Sequence, residues 1–375
     1  MITRIIDKKV EKHFYNGKAI IIMGPRQVGK TTLLENITKN KTNVLWLYAD
    51  EQDVQALFDN PSSTKLKKGF GSAKIVIIDE AQRIKDIGIK LKLITDQIKD
   101  VQLLVTGSSA FELANKINEP LTGRKWEYKL FPISFEEMAN HHGILTEKRL
   151  LNHRLVYGYY PEVVKSQGSE KETLSQLSDS YLYKDLLSWN QIKKSDKLIK
   201  LLQALAYQLG NQVSYNELSN LVGLDKETVE SYIQLLEQAY IVFRLGTYRK
   251  NLRTELKRSR KIYFYDNGIR NALIANFQQV ELRQDMGALW ENFMVSERMK
   301  YNAYHENWVN RYFWRTMAQQ EVDYIEEQDG NLYAYEFKWS THKKGKITKA
   351  FTNAYPEAIT TIITPENFEN FAMGT

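Results

Sequence analysis

The chain contains no cysteine in 375 residues, which excludes disulfides, thiolate zinc sites and cysteine nucleophiles together. It also has no apolar run near the ~18 residues that a membrane-spanning helix needs, so a membrane partner is not expected. The N-terminus, MITRIIDKKVEKHF, carries charges where a signal peptide needs an apolar core, and the cytoplasm is the expected compartment. Histidines number six, and His141–His142 sit in a polar, turn-like stretch that reads as solvated surface. Internal repeats and low-complexity segments are missing as well. What remains is the mix of an ordinary globular protein, 43% hydrophobic and 26% charged, long enough for two or three domains.

The net charge of +7 is concentrated. Arg244, Arg249, Lys250, Arg253, Lys257, Arg258, Arg260 and Lys261 face one acid, Glu255, so this segment equals the excess of the whole chain. Positive charge gathered in one place suits an anionic polymer, because neutralised phosphates release their condensed counterions. DNA is therefore the expected partner, with a solvated loop as the plain alternative.

Along the chain, short apolar runs alternate with helical stretches from Lys18 to about Ser134, the pattern of a parallel α/β sheet. Expected strands are Ala19–Met23, Val44–Tyr48, Ile75–Ile78, Val101–Val105 and Trp126–Phe131. Expected helices are Thr31–Thr38, Ile87–Ile98 and Ala110–Ile117, and Asn60–Ser72 reads as a loop. Residues 134–209 look helical, broken at the Gly and Pro of Tyr157–Pro161. Helices at Lys197–Leu209, Ser214–Leu221 and from Asp225 to about Ala239 precede strands at Ile241–Leu245 and Ile262–Tyr265. This is the order of a winged helix-turn-helix, with the basic segment as its wing. A helix at Ala288–Tyr301 and strands at Tyr312–Arg315, Val322–Glu326 and Leu332–Phe337 close the pattern.

The run Gly24-Pro25-Arg26-Gln27-Val28-Gly29-Lys30-Thr31-Thr32 matches G-x-x-x-x-G-K-[ST] between an expected strand and an expected helix. Gly24 and Gly29 let the backbone curl until its N–H groups face phosphates, and the helix N-terminus adds a favourable field. Lys30 is expected to reach the β and γ phosphates of ATP, and Thr31 to hold Mg²⁺. Asp79 ends a run of four apolar residues, where a carboxylate binds the same Mg²⁺; Glu80 beside it suits the polarising of an attacking water. Thr106, Ser108 and Ser109 end the strand expected between these two motifs. Their hydroxyls either sense the γ-phosphate and position water, or form a plain turn. Arg124 is a candidate arginine finger or sensor, and a finger acting in trans would require a homo-oligomer.

Together GPRQVGKTT, IIDEAQ, TGSSAFEL, LTGR, FPISFEEM and YGYYPEVV resemble the AAA-superfamily ATPases of bacteria and archaea that carry a conserved C-terminal domain of unassigned function. The match covers most of the first 165 residues; its one departure is a turn at Gly158–Pro161 with a single Gly. The resemblance implies an AAA-type domain with strand order 5-1-4-3-2, then helices, a winged helix and a small α/β restriction-endonuclease-like fold. The corresponding segments are 1–135, 136–195, 196–270 and 271–375.

At the C-terminal end, Glu291 on a helix, Asp323 on a strand and Glu336-Phe337-Lys338 on the next resemble the PD-(D/E)XK nucleases. Asp323 and Glu336 would share a second Mg²⁺, with Lys338 orienting or deprotonating the attacking water. Lys343, Lys344, Lys346 and Lys349 would add a phosphate-binding surface or simply solubility. Two functions stay open: an ATPase acting on DNA with an active nuclease domain, or an ATP-controlled switch that binds DNA or a protein through an inactive fold. The DEAQ string also resembles DExx helicases, but a second RecA-like half is missing.

Overall fold

The computed structural model describes residues 2–107, 120–179, 194–248, 260–340 and 345–374. Two compact units emerge, residues 1–132 with 238–240, and residues 133–237 with 241–375. Among the described residues no helix is long and apolar enough to cross a membrane.

The first unit is built on a five-stranded parallel sheet. Its strands are β1 (Ala19–Met23), β2 (Val44–Tyr48), β3 (Ile75–Asp79), β4 (Gln102–Gly107) and β5 (Lys125–Lys129), in the order β2-β3-β4-β1-β5. This is the order 5-1-4-3-2 that the resemblance implied, read from the other edge. The three central strands are buried at every position, as parallel strands covered on both faces must be. Edge strands β2 and β5 keep exposed and half-exposed positions. Helices α1 (Asp7–Lys12), α2 (Lys30–Thr38), α3 (Gln52–Phe58), α4 (Ser63–Phe70) and α5 (Ile87–Gln97) accompany the sheet.

Helix α4 corrects the expected loop at Asn60–Ser72. Ser62 caps it by accepting the Lys65 N–H at 3.1 Å, and Leu66 and Phe70, four residues apart, bury one face. Pro61, Ser62, Gly69 and Gly71 disguised it in the sequence. The helix expected at Ala110–Ile117 lies outside the described residues.

The second unit begins with helices α6 (Phe135–His142), α7 (Ile144–Arg149), α8 (Leu151–Tyr157), α9 (Pro161–Lys165) and α10 (Glu170–Leu177). Ser134 and Glu137 close a reciprocal capping box at the start of α6. Then follow α11 (Ser195–Tyr207), β6 (Gln212–Val213), α12 (Tyr215–Val222), α13 (Lys226–Gln238), β7 (Val242–Thr247) and β8 (Arg260–Phe264). After α14 (Asn267–Leu273) and the 19-residue α15 (Met286–Tyr304) come β9 (Asn310–Arg315), β10 (Glu321–Gln328) and β11 (Asn331–Phe337). Helix α16 (Lys349–Ala354), β12 (Ile359–Ile363) and α17 (Phe368–Met373) end the chain. Strands on either side of residue 271 share one seven-stranded sheet, β12-β11-β10-β9-β7-β8-β6. The join is the parallel pairing of Gly246 and Thr247 with Tyr312 and Phe313.

Candidate functional site

The phosphate cradle follows from where β1 ends. A Cβ on Gly24 would lie 2.1 Å from the carbonyl oxygen of Leu130, so only glycine lets the chain leave β1 against the strand beside it. Gly29 stands at φ +95°, a left-handed conformation that favours glycine, although a Cβ there would meet only open space. It precedes nine-residue α2 without a side-chain cap, so the first N–H groups of the helix point into the curl of the loop. Lys30 is buried and donates to the carbonyls of Gly24 at 3.1 Å and Pro25 at 2.8 Å, spanning the cradle.

The hydroxyl of Thr31 donates to Asp79 Oδ2 at 3.0 Å, which brings the end of β3 onto the start of α2. Thr106 is fully buried; its hydroxyl donates to Asp79 Oδ1 and accepts the Glu80 N–H at 3.0 Å. One threonine thus holds both acids of the IIDEAQ motif. Glu80 sits at φ +53°, uncommon for a non-glycine residue, and its carboxylate accepts from Gln82 Nε2 at 2.5 Å. Ser108 and Ser109 lie outside the described residues.

Sequence reasoning missed Arg4. Its buried guanidinium donates to the carbonyl of Val28, inside the cradle, at 3.0 Å and to that of Phe131 at 2.6 Å. Asp7 accepts the Arg4 N–H and an amide proton from Asn36 on α2. An isolated charged pair near the N-terminus offers no periodic or motif signal that could have marked this brace.

Arg124 requires a correction. The carbonyl of Arg124 accepts from Ala19 N, and Lys125 pairs with Ala19. This residue therefore stands at the end of β1 opposite the cradle, about 16 Å away at ~3.3 Å per residue. Its guanidinium donates to Asp96 Oδ1 at 2.7 Å and holds that carboxyl below its ordinary range. A sensor role at the cradle of its own chain is withdrawn; a finger acting in trans on a second copy stays a proposal.

In the second unit, Glu291, Asp323, Glu336 and Lys338 do come together, joined by two residues that the sequence did not suggest. Lys261 on β8 is fully buried and pairs with Glu291 at 2.8 Å and Glu321 at 2.5 Å. Tyr263 donates to the same Glu291 oxygen at 2.6 Å. Lys338 pairs with Glu336 at 2.6 Å, and Asp323 accepts the Phe337 N–H at 2.8 Å. The pairing of β10 with β9 slips by one residue between Val322 and Ile325, a bulge that re-aims Asp323.

Burial and the charge of Asp323 lift the Glu291 carboxyl to about 7, although Lys261 opposes this. Burial and Glu336 lift Asp323 to about 6. Burial works to lower the Lys261 ammonium, and the carboxylates of Glu291, Asp323 and Glu321 more than reverse it. Among the described residues, no group of three or more His, Asp or Glu side chains is placed to hold a metal ion.

The basic segment is only partly described. Arg244 pairs with Glu237 at 2.5 Å and Arg260 with Glu230 at 3.2 Å, and Lys261 belongs to the cluster above. Arg249, Lys250, Arg253, Lys257 and Arg258 lie outside the described residues, as do Lys343 and Lys344.

The cradle, its paired acids and the strand order define an ATPase-type P-loop domain of the AAA class. Residues 16–139 match a family described as an AAA domain. Residues 148–280 and 286–371 match two domains of unknown function, DUF8612 and DUF4143. An uncharacterized protein of Mycobacterium tuberculosis is 24% identical over 335 residues, covering 88% of this chain and 72% of that protein. Another, from Haemophilus influenzae, is 27% identical over 282 residues, 68% of each. Among solved structures, the Walker-type ATPase PABY2304 of Pyrococcus abyssi superposes with a TM-score of 0.50. The alignment covers 73% of this chain and 96% of that one at 14% identity, a likeness of fold alone.

Proposed function

We propose that this protein is an ATP-hydrolysing switch whose second unit engages a macromolecular partner. The observation that carries the reading is the 3.0 Å contact between the Thr31 hydroxyl and Asp79, beside a lysine that spans the cradle. Hydroxyl and carboxylate oxygens are the hard donors that Mg²⁺ prefers, so Thr31 and Asp79 fit it. When bound, that ion would neutralise charge developing on the phosphates. Lys30 would add its charge to the β and γ phosphates, with the backbone from Gly24 to Thr32 wrapped around them. Glu80 would polarise the attacking water, its backbone fixed by Thr106. Lys30→Ala should lose nucleotide binding, measured with a fluorescent ATP analogue. Glu80→Gln should bind as before and turn over at least about 100-fold more slowly; a fast Glu80→Gln enzyme would refute the assignment.

For the second unit, the order α11, β6, α12, α13, β7, β8, with β8 antiparallel to both β6 and β7, supports the winged-helix reading. The Glu291, Asp323, Glu336 and Lys338 constellation on a helix and two adjacent strands supports the nuclease-like fold. DNA remains the first partner proposed, on the charge of Arg249, Lys250, Arg253, Lys257 and Arg258. Binding to mixed-sequence DNA should weaken steeply as salt rises, and salt-independent binding would sink this reading. A protein partner is the second reading. It is favoured by the internal pairing of Arg244 and Arg260, and by α13, which carries Glu227, Glu230 and Glu237 against Lys226.

A further inference from the structure

The constellation in the second unit contains a second cation besides Lys338, one that lies entirely out of solvent. Lys261 lies on β8, which pairs with β7 on one side and β6 on the other, so its backbone is fixed on both edges. Its side chain has no solvent exposure, and the ammonium sits 2.8 Å from Glu291 and 2.5 Å from Glu321. The phenol of Tyr263 takes the same oxygen of Glu291. The other oxygen of Glu321 faces Arg315 at 3.3 Å. Asp323 is held by the Phe337 N–H, and Glu336 Oε1 by Lys338. One buried oxygen, Glu336 Oε2, has no hydrogen-bond partner.

A Mg²⁺ ion demands near-octahedral oxygen coordination at about 2.0–2.1 Å from carboxylates free to turn toward it. Here all four carboxylates are already turned toward protein donors, two of them share one ammonium, and of their buried oxygens Glu336 Oε2 alone is left over. A divalent ion at Glu336 would also face the ammonium of Lys338, and one at Glu291 that of Lys261, and like charges repel. The donor set therefore does not fit a second metal.

We propose that Lys261 is the resident cation of the Glu291, Glu321 and Asp323 cluster, beside the Lys338–Glu336 pair, and that this unit keeps its acids together without a metal ion and does not cleave phosphodiesters. The lysine acts as a fixed counter-charge: it joins α15 to β8 and β10, the elements that would otherwise open around a metal. The inference stands apart from the ATPase reading, since none of its residues lies in the first unit.

The test uses the nucleotide-free full chain carrying Asp79→Ala, which removes the metal-binding acid of the first unit. Mn²⁺ titration should show no saturable binding up to millimolar concentrations, and melting in Mn²⁺ or EDTA should give the same midpoint. Adding Lys261→Met should create an Mn²⁺-dependent rise in midpoint that Asp323→Asn removes. Saturable Mn²⁺ binding by the Asp79→Ala chain that disappears with Asp323→Asn would overturn the proposal. So would nicking of supercoiled DNA by the unaltered protein that Glu336→Gln abolishes, or a folded Lys261→Met chain that gains no Mn²⁺ dependence. The first two readouts do not require Lys261→Met to fold.

Discussion

Thr106 is the residue on which the geometry of the first site turns. Its hydroxyl donates to Asp79 and accepts from the Glu80 backbone, so it sets both acids at once. Thr106→Val keeps the shape and loses both bonds. Turnover should fall about 10- to 100-fold, the usual cost of losing an orienting partner, while nucleotide affinity changes little. Thr106→Ser should restore most of it; steady-state ATPase assays beside nucleotide titration decide. In the second unit, Glu291 is lifted from an ordinary 4.5 to about 7, first by burial and then by Asp323, with Lys261 opposing. A carboxyl raised in the folded state stabilises fully below its unfolded value and loses that contribution as pH rises through the folded one. Stability should therefore decline between about pH 4.5 and 7, by at most ~1.4 kcal/mol per pH unit from this group. Urea midpoints of the protein and of Glu291→Gln across that range provide the check: equal slopes would reject the contribution.

At the scale of elements, the cradle depends on what lies outside its motif. Arg4 ties the carbonyl of Val28 to that of Phe131, and Asp7 ties the same segment to α2. Arg4→Ala leaves two carbonyls without this charged donor, and the expected cost is about 2–4 kcal/mol, with nucleotide affinity reduced because the loop is no longer braced. Lysine should not rescue it, since one ammonium lacks the fork that reaches both oxygens. Denaturant melts and nucleotide titration of Arg4→Ala and Arg4→Lys test both statements. Strands β1, β3 and β4 were legible as runs of buried apolar residues; the boundaries of β1 and β3 fall within one residue of expectation, and β4 runs two residues further. Helix α4 was not, because two glycines and a proline obscured the Leu66 and Phe70 pair that packs it.

At the scale of the molecule, the second unit is one sheet in which local pattern suggested separate pieces. Among the described residues, the ladder between β7 and β9 runs through Gly246 and Thr247, continued by the Tyr248 N–H donating to Phe313 at 2.6 Å. Tyr248→Pro removes that donor. Amide hydrogen exchange should then quicken together in β7–β8 and β9–β11, as expected of a single cooperative unit; protection lost on one side alone would show two independent ones.

The amino-acid sequence by itself determined the nucleotide cradle and the two acids beside it, while the order of the strands was implied by the family resemblance. The cradle and its acids are contiguous motifs set at strand ends, and short-range chemistry suffices to read them. Only the tertiary structure decided what surrounds them. It placed Arg124 at the far end of the sheet, Arg4 against the cradle and Lys261 among acids 30, 60 and 62 positions away. Single charged residues carry no periodicity, and their partners are chosen by the register of strands far apart in the chain.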